Sequence, residues 1–340
     1  MESTFKYIFA LIVGALFIVF FVRFAMNYAS TAQTFESSMI AKNFDDYLEI
    51  TSTFQNGMNI IDFGSESPLS FRDGKIRSGT GIAQSTERIV YSPVNLKGIM
   101  VVIWTNKLEF PYAIDNLFYL TNEKYRYYLV YDRDTQEFVE EMMDGTIPGY
   151  FKEKNYMRSF EVGNLKMDDI KKSHGLFANV RFICFSSSVA DKVKKKISDA
   201  GMGNADLLLI TPEGEDDGEW KVGNVNYMME KDAEGTFLGQ PMMFGAFFAE
   251  DFKTYGENME KVYERMVQIT DIYIEKADFM SDALGMTKSC DEYSFFKAQH
   301  LTPYRQMIED RKDVSSMLAK ANDMEKDNRR EFGTDCPSIF

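Results

Sequence analysis

Residues 7–22 are sixteen consecutive positions without a charge, and Phe24, Ala25 and Met26 carry the apolar character past Arg23. A helix over residues 5–26 reaches the length of about 20 residues that a hydrocarbon core requires. Lys6 and Arg23 stand near its ends, where long aliphatic stems let the charged heads reach the interface, and Tyr7 and Tyr28 suit the interfacial zones. The sequence therefore predicts a single-pass membrane anchor over residues 1–28, with the lipid bilayer as its first partner. A cleaved secretory signal is the competing reading, because Ser30-Thr31-Ala32 offers the small residues of a cleavage site. Arg23 interrupts the usual path from apolar core to such a site.

Orientation rests on few charges, since Lys6 flanks one side and Arg23 and Lys42 the other. A short N-terminal tail before a large body suits an inside-N, outside-C anchor, so the body is expected to be extracytoplasmic at the cell membrane. Cys184 falls within the apolar run Val180-Arg181-Phe182-Ile183-Cys184-Phe185 and reads as a buried strand residue, leaving Cys290 and Cys336 either as a disulfide pair or as two free thiols.

The chain carries a net charge of −14, and the anchor's net +1 leaves −15 on the remainder. A field of that sign repels phosphate backbones, which argues against nucleic acid as a partner. The one basic cluster, Lys192, Lys194, Lys195 and Lys196, fits a solvated helix face. With 45% hydrophobic and 14% aromatic residues, the body has ample material for a core.

After the anchor, Ile40, Phe44, Tyr47, Leu48, Thr51 and Phe54 recur at three- and four-residue steps, predicting an amphipathic stalk helix over 29–57 that docks on its own domain or pairs with another copy. An α/β domain with a small β layer is expected over 58–250 and a helical region over 251–340. Short strands are read at 59–63, at 69–71 and around Ile76, with Arg72-Asp73-Gly74-Lys75 as a hairpin turn. Runs at 88–91 and 98–104 follow, the second unbroken enough for burial on both faces, as in a parallel sheet. Residues 111–120 read as a crossover helix leading to a strand at 125–131, the first βαβ unit. Helices at 135–143 and 168–173 precede a second unit, with strands at 179–185 and 206–210 around a helix at 189–200. Two such units imply a doubly wound, mainly parallel sheet. Residues 220–228 and 236–238 read as an antiparallel edge hairpin, 255–283 as a long helix, and the segment from Pro303 to about Arg330 as its partner in a C-terminal helical hairpin.

In open α/β sheets ligands bind beyond the carboxyl ends of strands, which nominates Thr105 and Asn106, Asp132, Arg133 and Asp134, and Ser186, Ser187 and Ser188. The serines fit either an anion site at a helix start or a plain N-cap. No dinucleotide fingerprint, phosphate-binding loop or nucleophile elbow occurs, so no catalytic residue and no cofactor is predicted. His174 and His300 stand in separate segments without metal-ligand spacing, reading as surface or capping residues, and no metal is expected. Glu213, Glu215, Asp216, Asp217 and Glu219 form an acidic stretch that reads as a solvated turn rather than a Ca²⁺ loop. Pro241-Met242-Met243-Phe244-Gly245-Ala246-Phe247-Phe248 is apolar throughout and reads as core or as a surface for a partner.

The anchor with its stalk, Ile89-Val90-Tyr91-Ser92-Pro93, Phe110-Pro111 with Asn116-Leu117-Phe118-Tyr119, and Met243-Phe244-Gly245-Ala246-Phe247-Phe248 together resemble N-terminally membrane-anchored archaeal envelope proteins without an assigned activity. That group carries a Cys where this chain has Gly256-Glu257-Asn258. The resemblance implies a tethered envelope or assembly component, meeting other envelope proteins or a second copy through the stalk or the C-terminal helices. The alternative is a small-molecule-binding or enzymatic domain that uses the strand-end rim.

Overall fold

The computed structural model describes residues 2–53, 56–174, 179–203, 205–216, 219–284, 292–331 and 337–340. The expected anchor and stalk form one helix, α1 (Glu2–Ser52), which at 1.5 Å per residue runs for about 75 Å. Leu16 to Val22 and Phe24 are exposed, and the helix is long and apolar enough to cross a membrane. Farther along, Ala41, Phe44, Leu48 and Thr51 are buried. Their spacing of three, four and three residues places them on one face, which docks on the first of two sheets. Ile40 packs partly and Tyr47 is exposed, so the docked stripe is narrower than the sequence predicts; Phe54 lies outside the described residues. Gly81 lets the sheet approach closely, since a Cβ there would stand 2.7 Å from the backbone of Ser37 and Ser38.

The first sheet is built from β1 (Met58–Arg72), β2 (Lys75–Ser78), β3 (Gln84–Ser85), β4 (Val90–Tyr91), β5 (Asn95–Glu109) and β6 (Ala113–Asn122), in the order β3-β2-β1-β5-β6-β4. The turn between β1 and β2 is Asp73-Gly74, both at positive φ (52° and 65°), as a two-residue hairpin of matching twist requires. Two expectations fail here. Residues 111–120 form no crossover helix, because the chain turns at Pro111 and returns as β6, antiparallel to β5. Of the run at 98–104 only Val101 to Trp104 are buried on both faces, Ile99 being exposed, and the neighbours β1 and β6 are antiparallel. The double burial has another cause: Val101 and Ile103 face α1, while Val102 and Trp104 face the centre of the molecule. A second covering layer, rather than a parallel sheet, makes the strand apolar throughout.

The second sheet contains β7 (Tyr125–Tyr131), β8 (Met157–Glu161), β9 (Asn179–Cys184), β10 (Ala205–Asp216), β11 (Glu219–Tyr227) and β12 (Glu234–Leu238), ordered β12-β11-β10-β9-β7-β8. Strands β8, β7, β9 and β10 are mutually parallel, and β11 and β12 form the expected antiparallel edge hairpin. The chain passes from β7 to β8 through α2 (Gln136–Glu141), a π-helical segment (Met142–Thr146) and α3 (Gly149–Glu153). It returns through α4 (Met167–His174) to β9, and α5 (Ser187–Ala200) joins β9 to β10. One doubly wound sheet is thus replaced by an antiparallel-dominated sheet and a mixed one.

Between them lies α6 (Gly239–Phe248), whose Met242 to Phe248 are all buried. A helix apolar on every side needs cover on every side, and α6 meets β4, β5 and β6 of one sheet and β10, β11 and β12 of the other. Trp104 and Phe244 approach at 5.0 Å between ring centroids, as do Tyr127 and Phe248. Gly245 is required because a Cβ would lie 2.7 Å from the Tyr91 ring. The core reading of this segment is the one observed.

The C-terminal end of α6 is held by Arg181 on β9. Its guanidinium donates to the carbonyls of Ala246 (3.3 Å), Phe247 (3.1 Å), Ala249 and Glu250, pairs with Asp206 at 3.1 Å, and lies over the Tyr227 ring at 5.6 Å. The last carbonyls of a helix have no partner within it, and in this interior water does not reach them. Arg181 is itself buried, whereas Asp206 is 48% exposed, so the carbonyl cage rather than the ion pair carries the interaction.

The C-terminal region wraps this body. In α7 (Phe252–Leu284), Asn258 donates to Val90 O at 2.8 Å and accepts from Val90 N at 3.2 Å, standing in for a strand beside β4. After α8 (Glu292–Phe296) and a π-helical segment (Lys297–Leu301), the expected helix to Arg330 is two helices, α9 (Thr302–Glu309) and α10 (Val314–Glu331). They are separated where Arg311 adopts φ 52°. Helices α7 and α9 pack together, so the helical hairpin exists with a broken second arm.

Replacing Arg181 with Met should leave the α6 carbonyls and Asp206 without their donor and lower stability by about 3–5 kcal/mol. Asp206→Asn should cost less than about 1 kcal/mol, in line with exposed pairs. Urea unfolding of the three proteins compares the two effects. A larger loss for Asp206→Asn would place the stabilisation in the ion pair instead.

Candidate functional site

The strand-order reversal of the second sheet falls between β7 and β9, where the chain leaves β7 toward β8 and comes back on the other side. Crevices at such switch points are where open α/β sheets bind ligands. Two of the nominated groups meet there: Ser186 Oγ donates to Asp132 Oδ2 at 2.9 Å and lies 3.4 Å from Ser188 Oγ. Asp132 Oδ1 accepts from Thr135 Oγ1 (2.9 Å) and Thr135 N (3.2 Å). Ser186 also serves as the N-cap of α5, accepting from Val189 N at 3.4 Å.

Partial burial works against the ionised Asp132, but the hydrogen bonds from Ser186 and Thr135 outweigh it and hold the carboxyl below its ordinary 3.8. A carboxylate anchored at the start of α5 repels the phosphate or carboxylate that bare serines would attract. Ser186 is thereby committed as the N-cap of α5, while Ser187 and Ser188 are exposed.

Thr105 and Asn106 stand elsewhere, because β5 belongs to the first sheet. Thr105 is buried, and its hydroxyl accepts from Gly57 N at 2.9 Å and donates to Gly57 O at 3.1 Å, fixing the connection from α1 into β1. Asn106 lines a polar cleft of about 760 Å³ between β5, the π-helical segment and the start of α6. The cleft has the volume of a ligand site. Its charges are largely committed, Lys107 to Glu109 and Asp144 to Lys152 at 2.9 Å.

Of the remaining nominations, the acidic stretch is not simply a turn: Glu213, Glu215 and Asp216 belong to β10 and Glu219 to β11, with Asp216 opposite Glu219. Asp217 lies outside the described residues. Among the described residues no group of three His, Cys, Asp or Glu is placed to hold a metal ion. Cys184 is buried as expected, and burial pushes its thiol far above the range in which a thiolate forms at neutral pH. Cys290 and Cys336 lie outside the described residues.

His300 departs from the surface role expected of it. It is buried against Phe296, with Nε2 at 3.0 Å from Asp327 Oδ2 and Nδ1 at 3.2 Å from Lys320 Nζ. Burial and the Lys320 charge lower its pKa despite Asp327, so it ties α10 to the preceding helix as a neutral ring. His174 ends α4. Arg181 was not among the nominated residues, although one signal marked it: a single charge inside a run otherwise fit only for burial.

Since the folded-state pKa of Asp132 is depressed, its contribution to stability is complete above the ordinary value and is lost as pH falls through the lower one. Asp132→Asn should therefore flatten the fall in Tm below about pH 4 relative to the parent protein. Thermal melts across the acid range make the comparison, and identical slopes would show that Asp132 titrates normally.

Comparison with protein-family models, with curated proteins and with solved structures gives no match for this chain.

Proposed function

We propose that the chain is a membrane-tethered, non-enzymatic assembly component of the cell envelope, in which α1 crosses the bilayer once and presents the body to protein partners on the outer side. The observation that carries this reading is the continuity of α1. The helix that exposes large apolar side chains from Leu16 to Met26 is the same one that buries Phe44 and Leu48 in the core of the first sheet. Membrane segment and body are thereby one mechanical unit, and Ser30-Thr31-Ala32 lies in mid-helix, which favours a retained anchor over a cleaved signal.

Two surface features support protein partners. Ile272 and Phe279, seven residues apart on α7, are exposed together with Phe295 on α8. The charge of the body keeps it off anionic headgroups, so that these surfaces face solvent rather than lipid. A ligand-binding role is the second reading, favoured by the cleft beside Asn106. Thermal-shift screening against nucleotides, sugars and metal ions separates the two, because a genuine ligand raises Tm by mass action.

Introducing Ala15→Arg and Phe17→Arg together should abolish stable insertion, each charge costing about 2.5–3.5 kcal/mol at the centre of a spanning helix. The expected result is loss of the double variant from the carbonate-resistant membrane fraction. Retention equal to that of the parent chain would contradict the tether.

A further inference from the structure

Separate segments of the chain meet around the polar cleft: Asn56 follows α1, Asn106 lies on β5, Thr146 on the π-helical segment, Lys221 on β11 and Gln240 on α6. Its volume of about 760 Å³ is that of a small-molecule site, but such sites are mostly lined by apolar side chains. Here the lining is polar and selective. Its charges cancel, Lys107 and Lys221 standing against Glu109 and Asp144, so the cleft favours an ion of neither sign. Lys107 is paired with Glu109, and Asp144 with Lys152. The neutral groups are in the opposite state: among the described residues, the side chains of Asn56, Asn106, Thr146 and Gln240 have no hydrogen-bond partner within the protein. They offer three amides, each with N–H donors and an acceptor oxygen, and one hydroxyl. Trp104 also reaches the cleft but is 1% exposed, so it presents no ring face to a stacked base. Pro148 and Pro241, both partly exposed, add small apolar surfaces.

One wall of the cleft is lower than the fold requires. A Cβ on Gly145 or on Gly149 would meet no atom within 4 Å, and neither residue adopts positive φ. Glycine there carries its entropic cost without a steric reason inside the chain, and what it leaves is backbone open to the close approach of another molecule. The same wall is π-helical from Met142 to Thr146, a geometry that is rare and recurs at functional sites. We propose that the cleft binds a neutral saccharide, whose hydroxyls exchange hydrogen bonds with the three amides and Thr146 and whose C–H faces meet Pro148 and Pro241. A sugar hydroxyl both donates and accepts, a capacity that an amide matches and that a lysine or a carboxylate does not. A nucleotide would find neither a positive field for its phosphates nor a ring for its base. An apolar ligand would strip water from the four neutral groups and leave them unpaired. The inference deepens the ligand-binding reading given above by naming the class of ligand, and it is independent of the membrane tether.

The test uses the full-length chain in micelles of a detergent without a sugar headgroup. Calorimetric titration compares neutral trisaccharides (maltotriose, cellotriose, mannotriose and triacetylchitotriose) with two charged probes, trigalacturonate and ATP. At least one neutral trisaccharide is expected to bind with a Kd below about 10 mM. Asn106→Ala with Gln240→Ala should weaken that binding at least about tenfold. Neither side chain has a partner in the fold, so the double variant should melt with the parent chain. Asp144→Asn, which removes a charge but no neutral group, should leave the affinity within about twofold. Failure of every neutral trisaccharide to bind, tighter binding of either charged probe, or neutral binding that the double variant leaves unchanged overturns the inference. The probes keep the two readings apart: binding of a charged probe alone contradicts the saccharide and retains a ligand site, while heat from none of them contradicts the ligand-binding reading as well.

Discussion

A helix that is apolar on all sides and ends inside the protein raises two demands at once: cover for every face, and donors for its last carbonyls. In this chain α6 meets the first demand by lying between two sheets, and Arg181 meets the second by donating to Ala246, Phe247, Ala249 and Glu250. The rest of the body follows from that arrangement. The first sheet must be apolar on both sides, with Val102 and Trp104 toward α6 and Val101 and Ile103 toward the docked half of α1. The second sheet turns Arg181 and Ile183 inward and Phe182 and Cys184 toward α5. The chain has five layers in effect: α1, sheet, α6, sheet, and the helices α4 and α5.

That layering gives α1 its mechanical meaning. If α1 merely led into a linker, the body would swivel freely above a bilayer. Instead Phe44 and Leu48 are part of the first sheet's core, and Asp45 and Glu49 are clasped by Arg88. Under the proposed tether, tilt or rotation of the apolar half of α1 is passed to the body, which suits a component that positions partners relative to a membrane. The switch-point rim, with Asp132 locked by Ser186 and Thr135, reads as a structural corner of the second sheet.

Much of this was legible from local chemistry. Strict periodicity marked the stalk, Asp73-Gly74 marked its hairpin, and the alternation of strands and helices from 179 to 210 marked one parallel unit. What failed depended on distant parts of the chain. Ala113 to Asn122 carries a proline at its entry and an apolar run that suits helix or strand equally, and pairing with β5 decides the matter. Val101 to Trp104 are apolar on both faces because α1 covers Val101 and Ile103, a fact that no window around those residues contains. Thr105 and Asn106 were read at the end of a parallel strand but lie within β5 of the antiparallel-dominated sheet, whereas Asp132 and Ser186 do follow the parallel strands β7 and β9. Arg181 was visible as a lone charge in a buried run, but its role depends on a helix some 60 residues later.

The central claim, that the second half of α1 belongs to the core of the body, is tested most directly by hydrogen exchange of the full-length chain in lipid vesicles. Amides around Phe44 and Leu48 should exchange as slowly as those of β5 and β9, opening only with the body as a whole. Exchange there at the rate of a fraying, undocked helix, with β5 and β9 still protected, would contradict it.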